Sequence, residues 1–194
     1  MPTSIAENAG ETMSNFKIHT LESAPKESKP LLEKSIKAFG RLPGLHGVMA
    51  EAPAVLEGYQ VLHGLFQATS FDAEELTVVW QTINVEHECH YCVPAHTGIA
   101  NMMKVDPALT EALRNSTAMP TAKLQALHDT TLAMLHSRGR LSDAEITSFY
   151  AAGYGQQQLL EITLGMAQKV MSNYVNHFAE TPVDEAFKQF AWEK

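Results

Sequence analysis

The chain has 194 residues, of which 45% are hydrophobic and 19% are charged. That composition is enough for one buried core and has too few charges for a disordered chain. The 14 Lys and Arg against 22 Asp and Glu give a formal net charge of −8, and without a basic run we expect no nucleic-acid partner. No stretch approaches the ~20 apolar residues that cross a bilayer. Because the N-terminus also lacks the features of a secretory signal, we expect a cytoplasmic protein with no membrane segment.

The first twenty residues differ from the rest of the chain. Residues 1–20 are polar and without clear periodicity, so we expect an N-terminal arm followed by one domain over residues 21–194. After the arm, apolar residues recur at spacings of three and four, which is typical of amphipathic helices. Helix starts are indicated, in chain order, at Ser28 with Pro30, Pro53, Asp72 with Glu75, Asp106 with Pro107, Thr121, Ser142 with Glu145, and Thr181 with Pro182. Helix ends are indicated at Gly40, Asn115, Gly139 and Gly153.

The apolar positions predict which face of each helix is buried. For the first three helices these positions are Leu31, Leu32, Ile36 and Phe39, then Val55, Leu56, Tyr59, Leu62, Leu65 and Phe66, then Leu76, Val79, Trp80 and Ile83. The segment RLPGLHGVMAEAP between the first two is expected to be a loop with one short helical turn. Residues 156–178 are apolar almost all round and predict the central, most buried helix. No strand pattern is found, so we predict an all-α fold of about eight to ten helices in a single domain.

The only two cysteines, Cys89 and Cys92, are three positions apart. Two cysteines placed at random in this chain would have that spacing only ~1% of the time, which favours a chemical role for the pair. A disulfide across so short a loop would stabilise the fold weakly. In a reducing cytosol such a pair is more often redox-active or metal-binding.

The cysteines lie in the segment NVEHECHYCVPAHTGIA. On a helix, residues three and four apart share a face, so Cys89, Cys92 and His96 can point into one pocket. Proline is favoured in the first helical turn, so Pro94 predicts that a helix begins between about Cys89 and Val93. The free N–H groups of that helix start favour a thiolate, and His96 can take the thiol proton and hold it as imidazolium.

A zinc site is the main alternative for the same residues. Zinc needs four ligands, and the two cysteines with His96 supply three. A fourth could come from His87, Glu88 or His90, but there is no second cysteine pair. A redox thiol needs no fourth group, so we expect neither a metal nor a cofactor.

The segment resembles the signature of the alkyl hydroperoxidase D / carboxymuconolactone decarboxylase-like superfamily. The wider match runs from about Lys29 to Asp184 and includes RLPGLHGVMAEAPAVLEGY, CHYCVPAHT and VMSNYVNHFAETPVD. The resemblance implies an all-α fold assembled as trimers or hexamers. It also implies thiol-dependent reduction of hydroperoxides in an antioxidant role, and the cysteine pair favours the peroxidase branch over the decarboxylase branch.

The resemblance also implies roles for individual residues. Cys92 would attack a small peroxide, Cys89 would be the resolving thiol and His96 the relay base. An external dithiol of the thioredoxin or lipoyl type would restore the pair. The relay glutamate of the family corresponds to Thr77 here, which leaves Glu86 as the candidate to orient His96 or a water.

Tyr91 stands where the hydroperoxidase has a histidine between its cysteines, and we expect it to form a pocket wall. His46 and His63 are expected to be core or surface residues. The group Asn173, Tyr174, Asn176 and His177 is expected to form a packed, hydrogen-bonded helix end.

Two other functions remain open from the sequence. One is a lyase or decarboxylase acting on lactone-like substrates, with incidental cysteines. The other is a non-enzymatic redox- or metal-responsive binding module.

Overall fold

Helices make up the regular structure of residues 16–194, the part of the chain that this computed structural model describes. The α-helices are α1 Lys29–Phe39, α2 Gly44–Met49, α3 Pro53–Gln67, α4 Ala73–Glu86, α5 Cys92–Met102, α6 Pro107–Arg114, α7 Ala122–Ser137, α8 Asp143–Ala151 and α9 Gln156–Ala179. Two 3₁₀ helices cover Lys26–Ser28 and Glu185–Phe190. Within these residues there is no β-strand, so the predicted all-α class and helix number are confirmed.

Local capping explains why most helices begin where the sequence predicts. At the start of α4 the Asp72 carboxylate accepts from the Glu75 N–H (2.9 Å), and the Glu75 carboxylate accepts from the Asp72 N–H (3.1 Å). Ser142 and Glu145 form the same reciprocal pair before α8. Each pair satisfies two backbone donors that have no partner inside the helix. Gly40, at φ 69°, ends α1 in the left-handed conformation that glycine tolerates.

The chain end does not form the α-helix predicted at Thr181 and Pro182. The residues after α9 are extended, and only the 3₁₀ helix Glu185–Phe190 follows. The reason is a tertiary contact, because the Asp184 carboxylate accepts hydrogen bonds from the Gly44 N–H (2.9 Å) and the Tyr91 hydroxyl (2.8 Å). These bonds hold Asp184 at an extended backbone conformation (φ −57°, ψ 140°) against the start of α2.

The predicted N-terminal arm falls partly on residues 1–15, which lie outside the described residues. Residues 16–20 are non-helical but are packed against the domain. The His19 N–H donates to the Gly47 carbonyl (3.0 Å), and the buried His19 ring contacts Glu51. Phe16 contacts the ring of Phe178 on α9.

The buried side chains form two clusters, and α5 contributes residues to both. The first surrounds α4, where Trp80 and Ile83 pack with residues such as Leu127, Phe149 and Ile162. The second lies among α1, α2 and α3 and includes both cysteines. α4 contacts α5, α6, α7 and α9, so it forms the centre of the molecule. Both cysteines are therefore core residues.

The prediction that residues 156–178 form the central, most buried helix is wrong, because α4 is more completely buried than α9 and the buried side of α9 is partly polar. Its buried residues include a polar stripe of Gln168, Lys169, Ser172, Asn173 and Asn176. Leu160 is instead 73% exposed, and Tyr174 and Phe178 are also exposed. On α3, Val55 and Leu65 of the predicted apolar face are likewise exposed. Among residues 16–194, none of the helices combines the length and hydropathy that a bilayer crossing requires.

Gly165 is expected to be a stability determinant, because α9 passes close to α3 and α4 at this position. A Cβ on Gly165 would lie 2.7 Å from Phe66 Cε2 and 3.0 Å from Val79 Cγ1, and both neighbours are fully buried. We expect Gly165→Ala to lower the free energy of unfolding by ~1–3 kcal/mol, measured by urea denaturation.

Gly64→Ala is the matched control. Gly64 also lies inside a helix, α3, and a Cβ there would meet nothing within 4 Å. This variant should gain up to about 1 kcal/mol from reduced backbone entropy of the unfolded chain. Equal stability of the two variants would contradict the packing argument.

Candidate active site

The structure brings together three of the site residues predicted from the sequence. Cys89 lies in the turn after α4, Cys92 is the first residue of α5, and His96 follows one helical turn later. Their exposed fractions are 0%, 2% and 5%. Cys92 and His96 line a cavity of about 350 Å³, and Tyr91 forms part of its wall. The helix start indicated by Pro94 is confirmed.

Each cysteine sulfur accepts a different hydrogen bond. The Cys92 N–H, the first of α5, donates to Cys89 Sγ at 3.3 Å. The Asn176 side-chain amide of α9 donates to Cys92 Sγ at 3.2 Å. Both cysteines are free thiols. The helix start therefore contacts the sulfur of Cys89, while a distant helix supplies the donor for Cys92.

The surroundings of the two thiols shift their pKa values in opposite directions. Burial raises the pKa of Cys92, but the hydrogen bond from Cys89, the charge of Lys169 and the amides of Asn176 and Asn173 outweigh burial and lower it. The hydrogen bond to Cys92, burial and the Cys92 charge together raise the pKa of Cys89 far above its usual value. The favoured state is a Cys92 thiolate beside a Cys89 thiol.

A buried lysine supplies the positive charge of the site. Lys169 of α9 is 0% exposed, and its Nζ lies 2.9 Å from His96 Nε2. An ammonium can only donate, so His96 Nε2 accepts and the ring proton sits on Nδ1. His96 Nδ1 is buried and has no hydrogen-bond partner.

This arrangement corrects the expectation that His96 holds the thiol proton as imidazolium. Burial, the charge of Lys169 and His63 lower the pKa of His96 well below 6.5, so the ring is neutral at pH 7. The nearby cation is Lys169, whose Nζ donates a hydrogen bond to His96 Nε2. Across residues 16–194, no three His, Cys, Asp or Glu side chains form a group suited to a metal ion.

A network of buried amides fixes the helices around the sulfurs. Gln81 Nε2 of α4 donates to the Val93 carbonyl of α5 at 3.1 Å, and Asn84 Nδ2 donates to Gln81 Oε1 at 2.9 Å. Asn173 Nδ2 of α9 donates to Asn84 Oδ1 at 3.0 Å. His87 Nδ1 lies 2.9 Å from Asn173 Oδ1. The network joins α4, α5 and α9 and holds the donor face of α9 against Cys92.

Histidine and aromatic side chains form much of the cavity wall. His46 and His63, expected in the core or on the surface, both line the cavity beside Tyr59, Phe39 and Phe187. Burial, then His63, lowers the pKa of His46 to about 4. Burial and, to a smaller extent, the charge of Lys169 lower the pKa of His63 to about 4. Both rings are therefore neutral at pH 7 and add no charge to the wall.

Tyr91 is held rigidly in that wall. Its hydroxyl donates to Asp184 Oδ2 at 2.8 Å and accepts from the Leu45 N–H at 3.3 Å. Burial and the Asp184 charge raise the pKa of Tyr91 well above 10. The phenol stays protonated and links α2, α5 and the chain end around the cavity.

Glu86 does not orient His96, contrary to the sequence-based expectation. Its carboxylate lies 2.6 Å from His136 Nε2 on α7, where both side chains are partly exposed. The reason is that α4 ends at Glu86, and Glu88 turns the chain through a positive φ of 51°. Helical spacing therefore does not relate Glu86 to Cys89. Thr77 is buried inside α4, where its hydroxyl donates to the Ala73 carbonyl at 2.8 Å.

Glu86→Gln is expected to leave the site chemistry unchanged. Because the carboxylate contacts only a surface histidine, the rate of Cys92 alkylation at pH 7 should stay within about twofold of the wild-type rate. His136→Gln, which removes the other half of the pair, is the matched control and should behave alike. A fall of about tenfold or more in Glu86→Gln alone would restore a general-base role for this residue.

Three residues of the site were missed or undervalued from the sequence. Lys169, Asn173 and Asn176 are at positions i, i+4 and i+7 of α9, so they share one face. The signal was a line of polar residues at helical spacing inside an otherwise apolar helix.

Comparison with known proteins identifies the fold. No protein-family model and no curated protein match the sequence. The AhpD core of a peroxidase-related protein from Ralstonia eutropha JMP134 is similar in structure, with a TM-score of 0.78, 15% identity and coverage of 92% of this chain and 96% of that one. A peroxidase-related protein from Silicibacter sp. TM1040 gives 0.76 and 17%, with 92% and 97% covered.

A third similar structure is the debrominase Bmp8, solved as a cysteine-to-alanine variant in complex with 2,3,4-tribromopyrrole. It gives a TM-score of 0.72 at 16% identity and covers 92% of this chain and 97% of that one. The chain therefore has the all-α alkylhydroperoxidase D-like fold, and the resemblance found in the sequence is confirmed at the level of the fold.

Proposed function

We propose that the protein is a thiol-dependent peroxide reductase that works through a dithiol–disulfide cycle of Cys92 and Cys89. The observation that carries the proposal is the environment of Cys92 Sγ, which lies at the cavity, accepts from Asn176 at 3.2 Å and is stabilised as thiolate by Lys169. The nucleophile has a second thiol three residues away, close enough in sequence for a disulfide.

The proposed chemistry has three steps. The Cys92 thiolate attacks one peroxide oxygen, the O–O bond breaks, and the other oxygen leaves as an alcohol or water after taking a proton. Cys92 is then a sulfenic acid, which condenses with the Cys89 thiol to form a disulfide and release water. An external dithiol of the thioredoxin or lipoyl type reduces the disulfide, a cycle suited to the cytoplasm.

Intact-mass measurement after one equivalent of peroxide tests this proposal. We expect the loss of two hydrogens and a crosslink between Cys89 and Cys92 in the peptide map. Cys89→Ser, which cannot resolve, should instead gain one oxygen on Cys92. An unchanged mass in the wild type would contradict the proposal.

A second candidate is reductive dehalogenation of an aromatic compound. The observation that favours it is the aromatic wall of the cavity beside a thiolate, together with the similarity in fold to a debrominase that binds a brominated pyrrole. Release of bromide from 2,3,4-tribromopyrrole in the presence of a dithiol tests it. Bromide release without any consumption of peroxide would favour this candidate over the first.

The two functions left open by the sequence can be separated by similar measurements. Lyase activity on a lactone-like substrate that survives loss of both thiols would indicate incidental cysteines. Bound zinc together with an unshifted thiol pKa would indicate a binding module.

We further propose that the protein forms a homo-oligomer, as a trimer or hexamer. Several apolar side chains on the adjacent helices α3 and α9 are exposed, namely Val61, Leu65, Leu160, Tyr174 and Phe178. Monomeric proteins rarely expose large contiguous apolar surfaces, and a subunit interface on α3 and α9 would cover these side chains. Light scattering at micromolar concentration should give three or six times 21.3 kDa, and a mass near 21.3 kDa would contradict the proposal.

A further inference from the structure

The positive charge of the buried Lys169 is not balanced by a carboxylate. A buried ammonium needs a nearby anion, and no carboxylate in residues 16–194 forms an ion pair with Lys169. The titratable groups around it and its cavity are His46, Tyr59, His63, His87, Cys89, Tyr91, Cys92 and His96. The cavity also contains Arg41 and Asp184, and the Asp184 carboxylate is bound to Gly44 and Tyr91. The thiolate of Cys92 is therefore the anion that balances Lys169.

A hydrogen bond joins Lys169 to His96, and both side chains line the cavity. Lys169 Nζ donates to His96 Nε2 at 2.9 Å, which places the ring proton on His96 Nδ1. His96 lines the cavity, and Nδ1 is a buried donor without a partner. A buried donor with no protein partner is available to a reacting molecule. When His96 gives its Nδ1 proton to that molecule, Lys169 can transfer a proton to His96 Nε2 and keep the ring neutral.

We propose that Lys169 supplies the proton consumed when Cys92 is oxidised, delivers it through His96, and is a neutral amine in the disulfide form. This inference rests on the dithiol chemistry proposed above. As Cys92 S⁻ attacks the peroxide and the O–O bond breaks, His96 Nδ1 protonates the leaving oxygen while Nε2 takes a proton from Lys169. The products are the Cys92 sulfenic acid, an alcohol or water, and Lys169 as –NH₂. Condensation with the Cys89 thiol then releases water.

Charge neutrality is the physical reason for this route. The reduced site holds one thiolate and one ammonium, and the oxidised site holds a disulfide and an amine, so both states are neutral. If Lys169 kept its proton, oxidation would leave an unpaired buried cation, which is strongly unfavourable. Lys169 and His96 both line the cavity, and in this route His96 Nδ1 is the atom that contacts the leaving oxygen.

Proton counting during oxidation tests the inference. The reduced full-length protein is oxidised in weakly buffered solution with a pH indicator, at a pH where thiolate absorbance shows Cys92 to be ionised. Two oxidants are used, hydrogen peroxide and the dithiol oxidant diamide, which takes up two hydrogens as the disulfide forms. If Lys169 gives up its proton, the wild type takes close to zero protons from solution per disulfide with either oxidant.

Lys169→Arg provides the contrast, because arginine can hold the thiolate but cannot be deprotonated. This variant should take up close to one proton per disulfide, a readout that a merely structural lysine would not move. Uptake of one proton by the wild type overturns the inference, and so does a wild type without thiolate absorbance. Should Lys169→Arg not fold, as judged by circular dichroism, the wild-type count still decides.

The two oxidants separate this inference from the proposed function. In one outcome diamide oxidises the dithiol without proton uptake, but hydrogen peroxide does not oxidise it. This result would contradict the peroxidase function and support the role of Lys169. In the opposite outcome peroxide forms the disulfide and the protein takes up one proton. This result would support the peroxidase function and contradict the role of Lys169.

Discussion

Replacement of Cys92 by serine is expected to lower kcat/KM for peroxide by at least about a thousandfold. A serine hydroxyl fits the same space and can accept the Asn176 amide, but it does not ionise near neutral pH and is a far weaker nucleophile. The fold should be preserved, since serine differs from cysteine only by oxygen in place of sulfur at this position of the second buried cluster. Peroxide consumption with an excess of small dithiol is the measurement.

Cys89→Ser is the matched control for that substitution. Cys89 is equally buried and only three residues away, but it is the thiol whose pKa is raised. This variant should react with its first equivalent of peroxide and then stop as a sulfenic acid, because no resolving thiol remains. A Cys92→Ser variant that still turned over at the wild-type rate would show that the roles are assigned to the wrong residues.

Replacement of Lys169 by methionine should have the second largest effect. Without the ammonium, one of the causes that lower the pKa of Cys92 disappears while burial, which raises it, remains. A full return of the pKa to the free-thiol value of ~8.5 leaves only ~3% of the thiol ionised at pH 7, so alkylation of Cys92 at pH 7 should slow by up to about 30-fold. The alkylation rate as a function of pH measures the shift directly.

The same variant should change how stability depends on pH. A thiol whose pKa is lowered on folding stabilises the folded state above the unfolded-state pKa of ~8.5, and that contribution is lost as pH falls through the folded-state pKa. The free energy of unfolding of the wild type should therefore rise with pH up to ~8.5. Lys169→Met should flatten this rise.

Lys123→Met serves as the control for loss of a lysine. Lys123 is half-exposed on α7 and pairs with Glu75 at 2.8 Å, away from the sulfurs. Its loss leaves the Glu75 carboxylate, which is only 9% exposed, without this partner and should lower the free energy of unfolding, but it should leave alkylation of Cys92 unchanged. Equal slowing of alkylation in the Lys123 and Lys169 variants would show that the effect is not local.

The parts of the fold that are set by residues close together in the sequence could be predicted. The capping pairs at Asp72 and Ser142 and the stop at Gly40 act over three or four residues, where local rules are strong. The same holds for the start of α5, because Pro94 restricts where a helix can begin. The cysteine pair and His96 were therefore found with their helix.

The rest of the site depends on contacts between distant parts of the chain. Lys169 meets His96 across 73 positions, and Asn176 meets Cys92 across 84. No local pattern fixes which helix packs against α5, so these residues could be seen as a polar line in α9 but not assigned to the sulfurs. Glu86 was misplaced for a related reason, because a single turn at Glu88 cancels the helical spacing on which its prediction depended.

The near-complete burial of both sulfurs has a consequence for what can react with them. With Cys89 at 0% and Cys92 at 2% exposure, an incoming molecule has to enter by way of the cavity of about 350 Å³ that Cys92 lines. A reagent must therefore fit into this cavity before it can react with Cys92. A small peroxide or an extended dithiol arm meets this requirement more readily than a bulky electrophile, and a broad protein surface cannot contact either buried sulfur directly.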